Sequence, residues 1–181
     1  DEIIISTGAT FDEEIINTAE ILNRLNTDFS FLHAITIYPT PINEVNLNRM
    51  NYLRNFTKSV GYSDHTETSK NGIDAALVSI FLGADYVERH FTILKENETR
   101  DGKVSIGPKH IEEMIQFAKL DKESQREYLD SRIEKWEHML GTEQRKLSKT
   151  ELLNRDYYRG RFAKTRNGYD NSNMNYNYEE V

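Results

Sequence analysis

The sequence predicts an α/β fold, a partial TIM (β/α)₈ barrel of about four βα units, followed by an extra C-terminal helix and a disordered tail. Three observations carry this expectation. Four short runs rich in β-branched and aromatic residues alternate with stretches of helical apolar spacing. Polar residues gather where each predicted strand ends. The 181 residues also fall short of the roughly 250 that a complete barrel needs.

The first strand is Ile3-Ile4-Ile5-Ser6, ended by Thr7-Gly8. Thr10 then reads as a helix N-cap with Glu13 completing a capping box, and Ile15, Ile16, Ala19, Leu22 and Leu25 follow at helical spacing. A second strand over 29–37 is closed by Tyr38-Pro39-Thr40-Pro41, where proline removes backbone donors. Leu47, Met50, Leu53 and Phe56 predict a helix over 45–56. The third strand, 59–62, delivers Ser63-Asp64-His65-Thr66 at its end, and Ile73, Ala76, Leu77, Ile80 and Phe81 mark the next helix, which Gly83 terminates. A fourth strand over 86–91 carries His90. Pro108 opens a helix whose buried face is Ile111, Met114, Ile115 and Ala118. The predicted organisation is a barrel portion over 1–120, an amphipathic helix over 121–141 with Leu129, Ile133, Trp136 and Leu140 on one stripe, and a linker and disordered tail over 142–181.

An open doubly wound sheet also alternates strands and helices. It favours five strands and a site after the first, whereas here Ser6, Tyr38, Ser63 with His65, and His90 end every strand in turn. The barrel is preferred on that ground.

Composition narrows the function. Lys and Arg number 23 against 30 Asp and Glu, a formal charge of -7 without a dense basic stripe, which argues against a nucleic-acid partner. The absence of cysteine excludes disulfides and thiolate metal sites. No apolar run approaches the roughly 18 residues of a membrane span, and the N-terminus carries no signal pattern, so a soluble, cytoplasmic protein is expected. The chain starts at Asp1, with a strand almost at once, as if cut from something longer.

His65 and His90 lie about one βα unit apart, each at a predicted strand end. Neighbouring parallel strands are about 4.8 Å apart, so the two imidazoles are within reach of a common ion. Two protein ligands leave positions open for substrate, a catalytic rather than a structural arrangement.

The strings Ile4-Ile5-Ser6-Thr7-Gly8, Tyr38-Pro39-Thr40-Pro41 with Asn46-Leu47, Val60-Gly61-Tyr62-Ser63-Asp64-His65-Thr66, Leu82-Gly83-Ala84 and Glu88-Arg89-His90-Phe91-Thr92 stand in the order seen in sialic acid synthases. From about residue 3 to 118 the chain resembles the C-terminal half of that family's barrel domain. The resemblance implies the last four βα units of the barrel and condensation of phosphoenolpyruvate with an N-acetylmannosamine-type sugar, giving a sialic or related nonulosonic acid. It further implies His65 and His90 as ligands of a divalent metal, manganese, with magnesium or cobalt as alternatives. Ser6, Thr36, Tyr38 and Ser63 match substrate-binding positions, and Asp101 matches a catalytic acid near metal-bound water and sugar. In the full-length family enzyme a homodimer is expected.

Each residue has a plainer role beside this one. Ser6 can cap a turn, Tyr38 can pack ahead of its prolines, Asp101 can simply meet solvent, and Asp64 can fix a turn or orient a histidine. Glu88 shares the face of His90 while Arg89 faces the helices; His33 is expected inside the barrel, and His110 and His138 on helix surfaces. The chain departs from the family where Thr36 replaces an asparagine and where Thr99-Arg100 precedes Asp101 in place of Gly-Pro. The family's phosphate-binding lysines and acids from its first four strands have no counterpart, so this polypeptide alone is expected to be inactive. The alternatives are a non-catalytic half-barrel that pairs as an interaction module, and another metal-dependent barrel aldolase or isomerase.

Overall fold

Four strands, β1 (Ile3–Ser6), β2 (Phe29–Ala34), β3 (Val60–Asp64) and β4 (Tyr86–Arg89), form one parallel sheet in the order β1-β2-β3-β4. The computed structural model describes residues 2–162, with side chains as far as Tyr157. Helices α1 (Asp12–Arg24), α2 (Arg49–Leu53), α3 (Thr68–Asn71) and α4 (Asp74–Phe81) lie in the connections. After β4 come α5 (Pro108–Ala118), α6 (Lys122–Arg132) and α7 (Lys149–Phe162).

The pleat sorts the residues of each strand into two layers. Phe29, Phe31, Val60 and Tyr62 point toward the helices and join Ile15, Ala19, Met50, Leu53, Leu77 and Phe117 in one core. On the other face the register sets Ser6, Leu32, Gly61 and Tyr86 in one row and Ala34, Ser63 and Glu88 in the next. This inner face is hollow and open: Ile4, Ser6, Leu32, Tyr86 and Glu88 line it, and Ile4 is 50% exposed. The sheet curls far enough for the Tyr86 hydroxyl to donate to Glu2 at 3.0 Å, from β4 to the residue before β1. The architecture is half a barrel, as expected. No helix among the described residues is long and apolar enough to cross a membrane.

Several boundaries differ from the expectation, each for a local reason. Helix α1 is capped one residue later than predicted: the Phe11 amide donates to Glu14 at 2.9 Å, while the Thr10 hydroxyl turns back to the Gly8 carbonyl. The helix expected over 45–56 shortens to α2, with a 3-10 turn (Ile42–Glu44) ahead of the expected segment. In between, the Leu47 and Asn48 amides donate to Met139 and Leu140 instead of to their own turn. The stripe expected over 121–141 also breaks. Helix α6 stops at Arg132, Lys135 adopts φ 53°, and a 3-10 turn (Trp136–Met139) drops Trp136 and Met139 into the core.

The largest difference is α7, which occupies part of the segment expected to be linker and disordered tail. It has no clear apolar stripe for periodicity to find. Its anchors are polar: Arg145 makes paired bonds to Glu151 at 2.6 and 2.7 Å, the Ser148 amide donates to Glu151 at 2.9 Å, and Arg155 binds Glu14. The rest of the expected tail, 163–181, lies outside the described residues.

His33 is a second correction. It sits in the outward layer rather than the barrel interior, fully buried, with Nε2 2.7 Å from the Val45 carbonyl and its ring 5.8 Å from that of Tyr62.

Two predictions follow from the packing. A Cβ at Gly61 would lie 2.4 Å from Leu32 and 2.5 Å from the Tyr86 carbonyl, so Gly61→Ala is expected to lower the unfolding free energy by about 1–3 kcal/mol in urea titration. Burial lowers the His33 pKa from 6.5 to about 3. The unfolded chain therefore takes up a proton that the folded chain refuses, and stability present above pH 6.5 is lost as the pH falls toward about 3. His33→Gln, which keeps a donor for Val45, should flatten this acid limb by up to roughly 1.4 kcal/mol per pH unit.

Candidate metal and substrate site

The site is assembled at the C-terminal end of the sheet, where β3 and β4 hand over to their loops. Asp64 and Arg89 are register partners in those strands. Both point away from the barrel interior and form an ion pair in which the side chains are 0% and 2% exposed. Asp64 also accepts from the Thr66 amide at 2.9 Å, which turns the chain at His65. Arg89 donates to the Thr66 carbonyl at 2.8 Å, the Thr68 hydroxyl at 2.9 Å and the Val104 carbonyl at 3.2 Å. The two loops that carry His65 and Asp101 are thereby tied to one guanidinium.

On the opposite side of this pair the imidazoles converge. The rings of His65 and His90 are 5.5 Å apart, and the Tyr38 ring lies 4.3 Å from His65 and 5.8 Å from His90. The Tyr38 hydroxyl shares a 2.5 Å hydrogen bond with His90 Nε2, and Asp101 Oδ2 stands 3.9 Å from His90 Nδ1. Tyr38 is 51% exposed, with one side of its ring against the imidazoles. The Thr40 amide donates to the His65 carbonyl at 2.8 Å, so the proline-bounded loop after β2 is pinned to the end of β3.

His65 is the chemically distinctive member. Burial, and after it the neighbouring His90, lowers its pKa to about 4, so the ring is neutral at physiological pH. Its Nδ1 is buried and has no hydrogen-bond partner among the described residues. A neutral imidazole with an unspent nitrogen, facing a second imidazole, is a donor set that suits divalent manganese, cobalt or zinc. The described residues contain no group of three or more His, Asp or Glu side chains disposed to hold an ion. An ion held by His65 and His90 would have two protein ligands among the described residues.

The other sequence candidates fall elsewhere. Ser63 lies on the inner face and donates to Glu88 at 2.6 Å. Ser6 and Thr36 line a separate groove at the ends of β1 and β2, shared with Thr7, Gly8, Asn154 and Arg155. There the Thr36 hydroxyl is buried without a partner, and Gly8 leaves room for its methyl group, which a Cβ at Gly8 would meet at 2.8 Å. The structure thus joins Tyr38, His65, His90 and Asp101 into one cluster and sets Ser6 with Thr36 in another. Asn154 and Arg155 had no sequence signal, because they approach from a helix without apolar period. The Asp64–Arg89 pair had one: an arginine facing the helices from a strand demands a carboxylate, and the third strand supplies it.

Removing one partner of a buried pair leaves the other charge uncompensated. Arg89→Met is expected to cost about 3–5 kcal/mol of stability, measured by denaturant unfolding.

Residues 1–127 match the sequence pattern of the NeuB family. An uncharacterised protein of Methanocaldococcus jannaschii is 42% identical over 120 residues, which are 65% of this chain and 34% of that protein. The N,N'-diacetyllegionaminic acid synthase of Campylobacter jejuni is 39% identical over 114 residues, 61% of this chain and 33% of its own length. The human N-acetylneuraminate-9-phosphate synthase is 29% identical over 120 residues, 65% of this chain and 32% of its own. The chain spans about a third of the length of these relatives. Among solved structures, a spore coat polysaccharide biosynthesis protein of Bacillus subtilis superposes with a TM-score of 0.66 at 23% identity, covering 85% of this chain and 42% of that one. The N-acetylneuraminic acid synthetase of Leptospira borgpetersenii gives 0.57 at 23% identity, covering 85% and 48%. At that identity the two structures speak for the fold.

Proposed function

The chain belongs to the NeuB family, and from that premise we propose that it carries the metal-binding side of a nonulosonic-acid synthase site. The reaction is the condensation of phosphoenolpyruvate with the aldehyde of an N-acylated amino sugar, with release of phosphate. The relatives named as legionaminic, pseudaminic and neuraminic acid synthases support the class of product. The observation that carries the reading is the neutral His65, its Nδ1 unspent, with its ring 5.5 Å from that of His90.

His65 and His90 would hold a divalent ion, manganese by preference, which when bound supplies Lewis-acid polarisation of the sugar aldehyde. The residues around it have separate tasks. Tyr38, through its bond to His90, fixes the orientation of that ring. Asp101, on the other side of the same ring, accepts a proton from the water that adds to C2 of phosphoenolpyruvate once its C3 has bonded to the sugar aldehyde, after which phosphate leaves from C2. Ser6, Thr36 and Ser63 bind phosphoenolpyruvate, with Glu88 holding the Ser63 hydroxyl. Thr36 supplies a hydroxyl where the family carries an amide, which alters the hydrogen bonds offered to the ligand. The remaining groups of the site come from further βα units, so the chain by itself is expected not to release phosphate from phosphoenolpyruvate.

Calorimetric titration with Mn²⁺ tests the reading. Stoichiometric binding is expected in the wild-type chain and its loss in the double variant His65→Ala, His90→Ala. Identical traces for the two proteins would remove the metal site. A stable dimer without metal affinity would instead favour a non-catalytic half-barrel, the use to which the open inner face is otherwise suited.

A further inference from the structure

Helix α7 lies beyond the residues that match the family pattern, yet two adjacent side chains on it return to the ends of the first two strands. Arg155, only 7% exposed, donates to the Ala9 carbonyl at 2.7 Å and makes paired bonds of 2.7 and 2.8 Å to Glu14. Ala9 occupies the left-handed region with φ 50°, an uncommon conformation for a residue with a side chain, and the loop it belongs to joins Ser6 to α1. Glu14 also accepts from the Phe11 amide and so forms the first turn of α1. The same guanidinium stacks 4.2 Å above the Phe11 ring. Next to it, the Asn154 amide donates to the Thr36 carbonyl. The helix itself is held at its start by the Arg145–Glu151 pair, in which Glu151 is 1% exposed.

We infer that α7 is a clamp on the strand ends that bear Ser6 and Thr36, with Arg155 and Asn154 as positioning residues for the phosphoenolpyruvate side of the site. This rests on the assignment of Ser6 and Thr36 made above. The clamp acts through backbone: it takes up the carbonyls of Ala9 and Thr36 and so fixes the chain at Ser6 and Thr36, two residues that line the groove. Arg155 and Asn154 bond to Ala9, Glu14 and Thr36, whereas the loops at His65 and Asp101 are tied by Asp64, Arg89 and Thr40. The strand ends bearing Ser6 and Thr36 are therefore held by two side chains that follow the barrel. A merely structural helix would, on removal of its anchor, loosen both clusters together.

The experiment compares Arg155→Met, Asn154→Ala and Arg155→Lys with the wild-type chain by hydrogen exchange, Mn²⁺ titration and phosphoenolpyruvate binding followed by ³¹P resonance. In Arg155→Met, amides of the Gly8–Glu14 loop should exchange on the order of tenfold faster, while those of the loops at His65 and His90 keep their protection. Phosphoenolpyruvate affinity should fall with that loop, Mn²⁺ affinity should stay, and Arg155→Lys should restore part of the protection through the charge on Glu14 alone. Asn154→Ala should act on the loop at Thr36 in the same selective way. Uniform deprotection, or Mn²⁺ affinity lost in step with phosphoenolpyruvate, would overturn the clamp. Phosphoenolpyruvate affinity that is unchanged in Ser6→Ala and Thr36→Val would overturn the assignment of Ser6 and Thr36, and the exchange pattern alone then decides the clamp, as it does if the wild-type chain binds no phosphoenolpyruvate.

Discussion

Two opposite charges face each other across the last two strands, and neither side chain has water to fall back on. Coulomb attraction between Asp64 and Arg89 offsets the cost of taking both out of solvent only because their remaining capacity is also used. Asp64 accepts from the Thr66 amide, and Arg89 spends its donors on Thr66, Thr68 and Val104. An apolar pair of the same volume would pack as well but would fix none of these loops. The pair converts a register between β3 and β4 into fixed positions for the residues that leave both strands, and the imidazole cluster depends on it.

The arrangement follows a division of labour that the pleat imposes. One face of each strand builds the core with helices; the other mixes polar and apolar residues, Ser6, Ser63 and Glu88 beside Ile4, Leu32 and Tyr86. Tyr62 and Asp64 alternate with Ser63 and His65, so structural and chemical residues are interleaved within one run of four. The same alternation places the charge pair behind the imidazoles rather than among them. Burial, and after it the neighbouring His90, keeps the His65 ring neutral.

The strands, their order and the strand-end location of both histidines were legible because period-two and period-3.6 patterns report burial directly. Tyr38 was legible as a strand-end residue but its role only through resemblance, and Asp101 through resemblance alone, since a loop carboxylate carries no periodic signal. His33 was misplaced. A polar residue in a buried strand reads as interior by default, and only the register, with Tyr62 beside it and Val45 beyond, turns it outward. Helix α7 was missed for a related reason. Arg145, Glu151, Arg155 and Glu14 hold it by charge, and long-range charge pairing leaves no trace in local spacing.

His90 is gripped on both of its nitrogens, by the phenol of Tyr38 at 2.5 Å and, more loosely, by the carboxylate of Asp101 at 3.9 Å. His65, by contrast, has a buried Nδ1 with no hydrogen-bond partner among the described residues. The two imidazoles are thus unequal partners for any cation they would share: one offers an open nitrogen, and the other is already approached from both sides.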